Sequence, residues 1–274
     1  MHVLGIVGHS DTGKTTLVER LADRLDERGR VATIKHLHDF DVDTEGKDTA
    51  RHRAAGAGRT YGLTDRGEWF ATGGDRTLAG TLDDLAPEFD YALVEGYSDA
   101  SLPQVVLGDR DHGGEALVTA PEADAVDVDE VIEALEETEP HVTLESLVAE
   151  LKRDPAAERA GAVATFTGQV RERDHPEDEP TEHLAFEKYD GVAEERMAAI
   201  AEELEGREGV HRVALHHRTG VIEAGADIVF VVVLAGHREE AFEAVSEGID
   251  RLKDEVPIFK KEVTVTDDYW VHER

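Results

Sequence analysis

The apolar positions of this chain change rhythm along its length. His2-Val-Leu-Gly-Ile-Val7 is a short apolar strand, and Thr16 to Glu27 reads as a helix stopped by Gly29. Arg30 to His36 is a second strand, and Trp69 to Thr72 a third. Arg76 to Leu85 has helical spacing. Asp90-Tyr-Ala-Leu-Val-Glu-Gly-Tyr97 is a buried strand that ends in an acid. Gln104 to Leu107 and Ala116 to Thr119 are further short strands, and Val128 to Glu136 is a helix. Strands that alternate with helices predict an α/β unit with a mostly parallel, doubly wound sheet.

From Glu136 to Val142 the periodicity stops and a proline intervenes, the signature of a linker. The expected division is therefore residues 1–137, a linker over 138–143, and a second domain over 144–274. Leu144 to Lys152 begins it as a helix, and Ala160 to Arg171 is an extended run. Glu172 to Thr181 is an acidic, proline-bearing loop. His183 to Tyr189 is a strand, Val192 to Leu204 a helix, and Val210 to Arg218 and Asp227 to Leu234 are strands. After Gly236 a long helix follows, on which Phe242, Val245, Ile249, Leu252 and Val256 form a stripe expected to face a core. Pro257 ends it, and Phe259 to Val265 reads as a strand. This order predicts an α+β domain with a mixed or antiparallel sheet.

Composition narrows the partners. The 274-residue chain carries 62 acidic against 29 basic residues, a formal charge of −33, with the acid spread along its whole length. Such a surface suits a cytoplasm of very high salt, where screening relieves self-repulsion. It argues against nucleic acid, which needs a basic face. The longest apolar run, Ile228 to Ala235, is too short to span a bilayer, and the first strand runs directly into a functional loop. The expectation is a cytoplasmic protein with no membrane partner. With no cysteine, the chain forms no disulfide and carries no persulfide, so any sulfur chemistry takes its sulfur from outside.

Gly8, His9, Ser10, Asp11, Thr12, Gly13, Lys14 and Thr15, followed by Thr16, spell G-x-x-x-x-G-K-[ST] between a strand and a helix. The glycines let backbone N–H groups curl around phosphate oxygens. Lys14 reaches the β- and γ-phosphates, and the Thr15 hydroxyl is a position for Mg²⁺. Glu95 closes a strand where such a protein places its magnesium-side carboxylate. Two readings stand for His36, His38 and Asp39: a cation site, or solvated side chains of an acidic loop. Near the other end of the chain, His237, Arg238, Lys253, Lys260 and Lys261 frame the last helix. They are either cations that suit helix ends or the wall of an anion site.

Gly8 to Thr16, Ile34-Lys-His36, Gly46-Lys-Asp48, Arg51-His-Arg-Ala-Ala-Gly56 and Leu93-Val-Glu-Gly96 together resemble the MobB family, the molybdopterin-guanine dinucleotide biosynthesis adaptors. The resemblance implies GTP with Mg²⁺ on the first domain and work beside the enzyme that attaches GMP to molybdopterin. The guanine preference comes from the resemblance alone, because the chain has no asparagine for an Asn-Lys-x-Asp motif. Gly161 to Gly168, Val170-Arg171, His217-Arg218 with Gly220, Gly236-His-Arg238, Leu252-Lys253 and Pro257 to Glu262 resemble the MoaE family, the large subunit of molybdopterin synthase. That resemblance implies conversion of cyclic pyranopterin monophosphate to molybdopterin, with two sulfurs installed as a dithiolene. The sulfur donor it implies is the thiocarboxylated Gly-Gly terminus of a small ubiquitin-like carrier subunit.

Carried over by position, Gln169, Val170, Arg171, His237, Arg238, Lys261 and Glu262 are expected at the substrate, and Lys253 and Lys260 in the chemistry. Gln169 stands where that family often has a basic residue, and the loop after Arg171 is more acidic than its pattern and lacks the glycine. Arg238 and Lys253 lie on one predicted helix, about 22 Å apart along its axis at the α-helical rise. If both touch one small substrate, the second comes from a symmetry mate, so a homodimer with shared sites is expected. The competing reading is a P-loop GTPase, kinase or nucleotide-binding adaptor whose second half is a non-catalytic partner-binding module.

Overall fold

The computed structural model describes residues 1–38, 46–173, 175, 177–188, 191–264 and 268–271. The chain divides into two compact units, Met1–His141 and Val142–Arg274. Of the residues expected in the linker, 138–141 fall within the first unit and 142–143 within the second. Thr138 N–H donates to the Leu135 carbonyl, His141 N–H to the Met1 carbonyl at 2.8 Å, and the His141 ring meets Asp83 at 2.9 Å.

The first unit runs β1 (His2–Gly8), α1 (Lys14–Asp26), β2 (Val31–Lys35), α2 (Asp48–Ala54), β3 (Arg59–Leu63), β4 (Trp69–Gly73), α3 (Leu78–Leu85), β5 (Tyr91–Glu95), β6 (Gln104–Leu107), β7 (Ala116–Ala120) and α4 (Val128–Glu136). Its five-stranded sheet has the order β2-β5-β1-β6-β7, with every pairing parallel. The strands are apolar nearly throughout because both faces are covered. Leu4, Ile6, Tyr91 and Leu93 meet Leu17, Leu21 and Leu25 of α1 and Val131, Ile132 and Leu135 of α4. On the other face Val3, Ala92 and Val94 meet Leu82 of α3. The chain moves one way from β1 to β2 and β5 and the other way to β6 and β7, so the loop after β1 opens at the switch point of the sheet. The sequence pattern did not reveal β3, which pairs antiparallel with β4 in a separate hairpin. Its Tyr61 and Leu63 are exposed, so no apolar alternation announces a strand.

The second unit runs α5 (Leu144–Arg153), β8 (Ala162–Gln169), β9 (Thr181–Lys188), α6 (Val192–Glu205), β10 (Val210–His217), β11 (Gly220–Glu223), β12 (Asp227–Ala235), α7 (Arg238–Glu255), β13 (Ile258–Thr264) and β14 (Asp268–Val271). Thr143 starts α5 with a reciprocal cap: Ser146 N–H donates to its hydroxyl, and its own N–H donates to Ser146 Oγ. Two antiparallel sheets form, β10-β12-β8 and β11-β9-β13-β14. The run Val229–Ala235 is buried throughout, since Val229, Val231, Val233 and Ala235 meet α6 and α7 while Phe230, Val232 and Leu234 meet α5. One sequence expectation fails on α7. Phe242 is 66% exposed, and the buried arc is Ala241, Ala244, Val245, Gly248, Ile249 and Leu252. Small residues carry that face because the helix sits close to the sheet: a Cβ on Gly248 would stand 3.1 Å from Val231 Cγ1.

Candidate functional sites

In the first unit the loop between β1 and α1 closes upon itself. Lys14 Nζ donates to the carbonyls of Gly8 and His9 at 2.9 and 2.6 Å, and the Thr12 hydroxyl donates to His9 O at 2.9 Å. Gly13 takes φ 84° as the N-cap of α1, and no side chain caps the amides that follow. Those N–H groups, with the helix dipole behind them, form an anion seat. The seat is braced by residues that sequence reasoning passed over. Ala123 N–H donates to Thr12 O at 3.0 Å, and Arg20 donates to the carbonyls of Ala123 and Val126. Gly8 permits this closeness, since a Cβ there would stand 2.7 Å from Thr12 Oγ1 and 2.8 Å from Leu107 O. Ser10, Asp11 and Thr16 are exposed around the loop, and exposed His9 meets Asp109 at 3.3 Å.

Glu95 stands beside this seat because β5 is the immediate neighbour of β1, with Ile6 in register with Glu95. Its carboxylate oxygens accept from the Thr15 hydroxyl at 3.1 and 3.2 Å. Hard oxygens in this arrangement, a hydroxyl and a carboxylate at a strand end, suit Mg²⁺. Lys35 Nζ also reaches Glu95 Oε1 at 3.0 Å and Thr15 Oγ1 at 3.3 Å. Among the described residues no group of three or more metal-binding side chains assembles. His36 instead stacks on Tyr97 at 4.4 Å, with His38 tilted 5.0 Å away, and Asp39 lies outside the described residues.

In the second unit the predicted residues distribute over the two ends of α7 and the ends of two strands. His237 is the N-cap of α7, Arg238 its first residue, and Lys253 lies in its last turn, all three exposed. Arg238 and Lys253 are therefore not brought together; the helix separates them by about 22 Å. Lys253 is followed by a tight turn, with Ile258 N–H on the Val256 carbonyl at 2.9 Å, and β13 then places Lys260 in register with Phe186 and Lys261 with Ala185. The side chains of Lys260 and Glu262 lie outside the described residues. Arg171 is exposed just past β8. Gln169 Nε2 donates to Asp227 Oδ1 at 2.9 Å. The side chain of Val170 is 2% exposed and packs with Leu184, Phe186 and Ile222. The Val170 N–H donates to the Ala226 carbonyl and its carbonyl accepts from Gly225 N–H, which fixes the backbone just before Arg171.

Arg218, next to the resemblance-bearing His217, has a structural task. Its guanidinium donates to the carbonyls of Asp227 and Val142 and lies 5.3 Å from the Phe230 ring centroid.

Fold and site thus define a P-loop α/β unit joined to an antiparallel α+β unit that carries cations at both ends of one helix. Comparison with known sequences agrees. The family profile described as Molybdopterin guanine dinucleotide synthesis protein B matches residues 3–129, and that described as MoaE protein matches residues 137–255. A "Probable molybdopterin synthase" of Haloferax volcanii is 54% identical over 274 residues, covering 100% of both chains. The Escherichia coli K12 molybdopterin synthase catalytic subunit is 41% identical over 114 residues, 42% of this chain and 75% of that protein. A Helicobacter pylori complex of subunits 1 and 2 of molybdopterin-converting factor aligns with TM-score 0.41 and 21% identity over 48% of this chain and 86% of that one. The chain belongs to the molybdopterin synthase family, with a MobB-like unit fused ahead of the MoaE-like one, and so to molybdenum cofactor biosynthesis.

Proposed function

We propose that the second unit is the catalytic part of a molybdopterin synthase and converts cyclic pyranopterin monophosphate to molybdopterin. Sulfur reaches it as the C-terminal thiocarboxylate of a small ubiquitin-like carrier subunit. The observation that carries this reading is the full-length relationship to a protein of that name, in a chain without any cysteine to supply sulfur itself. Arg171, His237 and Arg238 hold the substrate's phosphate and pterin, with Gln169, Lys261 and Glu262 beside them. Lys253 and Lys260 stabilise charge as the thiocarboxylate is attacked and released, and move the protons. A single subunit cannot bring Arg238 and Lys253 to one small molecule, so each active site draws on two copies of the chain.

The first unit binds GTP, with phosphates on the α1 amides and Lys14. Thr15 and Glu95 would hold the accompanying Mg²⁺, which neutralises the β- and γ-phosphate oxygens when bound. The test is to mix purified protein, in molar KCl, with thiocarboxylated carrier and pyranopterin substrate, and to measure molybdopterin by the fluorescence of its oxidised derivative. Product formation that depends on Lys253 supports the reading, and absence of product refutes it.

A further inference from the structure

The nucleotide-binding reading gives no role to Lys35, which stands beside its site. Lys35 is the last residue of β2 and stands in direct register with Glu95 on the neighbouring strand. In a parallel pair, residues in register point to the same face. Its ammonium therefore reaches the very oxygens that a divalent ion would use: 3.0 Å to Glu95 Oε1 and 3.3 Å to Thr15 Oγ1. The Thr15 hydroxyl directs its proton to Glu95 and accepts from Lys35, so the ammonium already occupies one of the two lone pairs on the oxygen a metal would use. Lys14 does not share this duty, being bonded to the carbonyls of Gly8 and His9.

We propose that Lys35 is a built-in counter-cation of the Thr15–Glu95 pair that competes with divalent metal for it, so that nucleotide binding by the first unit depends only weakly on magnesium. The proposal rests on the nucleotide-binding reading above and refines it. Burial separates this pair from an ordinary surface contact, which contributes little. The Glu95 side chain is 11% exposed and that of Lys35 is 51% exposed. A carboxylate so far out of water requires a cation beside it. Lys35 supplies that cation from the solvent side, and among the described residues it meets only Thr15 and Glu95. It can withdraw into water without breaking any other described contact. Withdrawal, however, strands Glu95 unless another positive charge arrives. Metal and lysine are thus alternatives for one site.

The experiment uses the full chain in molar KCl and a fluorescent GTP analogue, titrated once in EDTA and once in MgCl2. In the unaltered protein the two dissociation constants should agree within about threefold, and in Lys35→Met the magnesium value should be tighter by at least about tenfold. Lys35→Arg, which keeps the charge, should retain the weak dependence. Equal magnesium dependence in all three proteins overturns the proposal and leaves nucleotide binding standing. Failure of every protein to bind the analogue overturns nucleotide binding instead. Melting temperature without nucleotide then still decides about Lys35. Lys35→Met should melt lower than the unaltered protein in EDTA and recover in MgCl2, whereas the unaltered protein should respond little. A Lys35→Met protein that is unfolded with and without magnesium, or indifferent to it, overturns the proposal.

Discussion

The geometry of α7 makes a quantitative prediction about activity in mixed dimers. Arg238 opens this helix and Lys253 lies in its last turn, both exposed. Fifteen helical steps of 1.5 Å separate them by about 22 Å, farther than their side chains can span toward one small substrate. With sites shared across a two-fold axis, each site takes Arg238 from one subunit and Lys253 from the other. Arg238→Ala and Lys253→Ala are then each inactive as homodimers. A heterodimer of the two collects both lesions in one site and leaves the other intact. Random exchange of equal amounts makes half of the dimers mixed, so activity should return to about one quarter of the unaltered level, and a doubly tagged, purified heterodimer should reach about one half. The assay is molybdopterin formation under saturating carrier, before and after exchange. Subunit exchange verified by mass without any gain in activity would refute shared sites and place Arg238 and Lys253 in separate tasks.

Other perturbations test the fold around the sites. Gly13 and Gly46 both take positive φ, 84° and 82°, but a Cβ at Gly13 would stand 2.8 Å from Ala123 Cβ while Gly46 faces open space. Gly46→Ala should cost about 1–3 kcal/mol of backbone strain, and Gly13→Ala more, with loss of nucleotide binding by fluorescence titration. Ile200→Ala removes a side chain at 0% exposure and should destabilise the second unit by about 2–5 kcal/mol in urea unfolding. Phe242→Ala on the exposed side of α7 should stay within about 0.5 kcal/mol; a large loss would mean that the phenyl ring is covered in solution. The His2 ring is held below its ordinary value of 6.5 by burial first and by the neighbouring N-terminal charge second. Glu136, hydrogen-bonded by Arg28 and Tyr91, is also held low. A depressed histidine contributes full stability above pH 6.5 and loses it as pH falls through the folded value, and a depressed carboxylate acts in the same direction at lower pH. His2→Gln should therefore flatten the fall in melting temperature between pH 7 and 5, and an unchanged slope would contradict this account.

The parts legible in the sequence were those governed by local rules. The P-loop spacing places Gly8, Gly13, Lys14 and Thr15 without reference to the rest of the chain, and the apolar run before Glu95 places that acid at a strand end. In the sequence Lys35 stands out only as part of the Ile34-Lys-His36 motif. Its role depends on which strand lies next to β2, and strand order is not a local property. The stripe on α7 was misread for a different reason. Large apolar side chains dominate a periodicity count, yet Ala241, Ala244 and Gly248 are the residues that let the helix approach the sheet. Phe242 sits on the flank of that arc and inflated the stripe. The short β11 and β14 and the exposed β3 escaped notice because none carries an alternating pattern long enough to detect. Val170 was expected at the substrate only by position in the resemblance; its burial with Leu184, Phe186 and Ile222, while Arg171 beside it is exposed, depends on strands distant in the chain.

The strand order of the second unit also dictates when it can fold on the ribosome. Among the described residues β8 pairs only with β12, and β9 completes its pairing with β13. Both late strands emerge after most of the unit has been synthesised, whereas all five strands of the first sheet precede α4. The first unit can therefore be complete while the second still exposes β8 and one edge of β9 to other nascent chains. A chain that stops before Ile258 lacks β13, so the edge of β9 that this strand covers stays open to other strands.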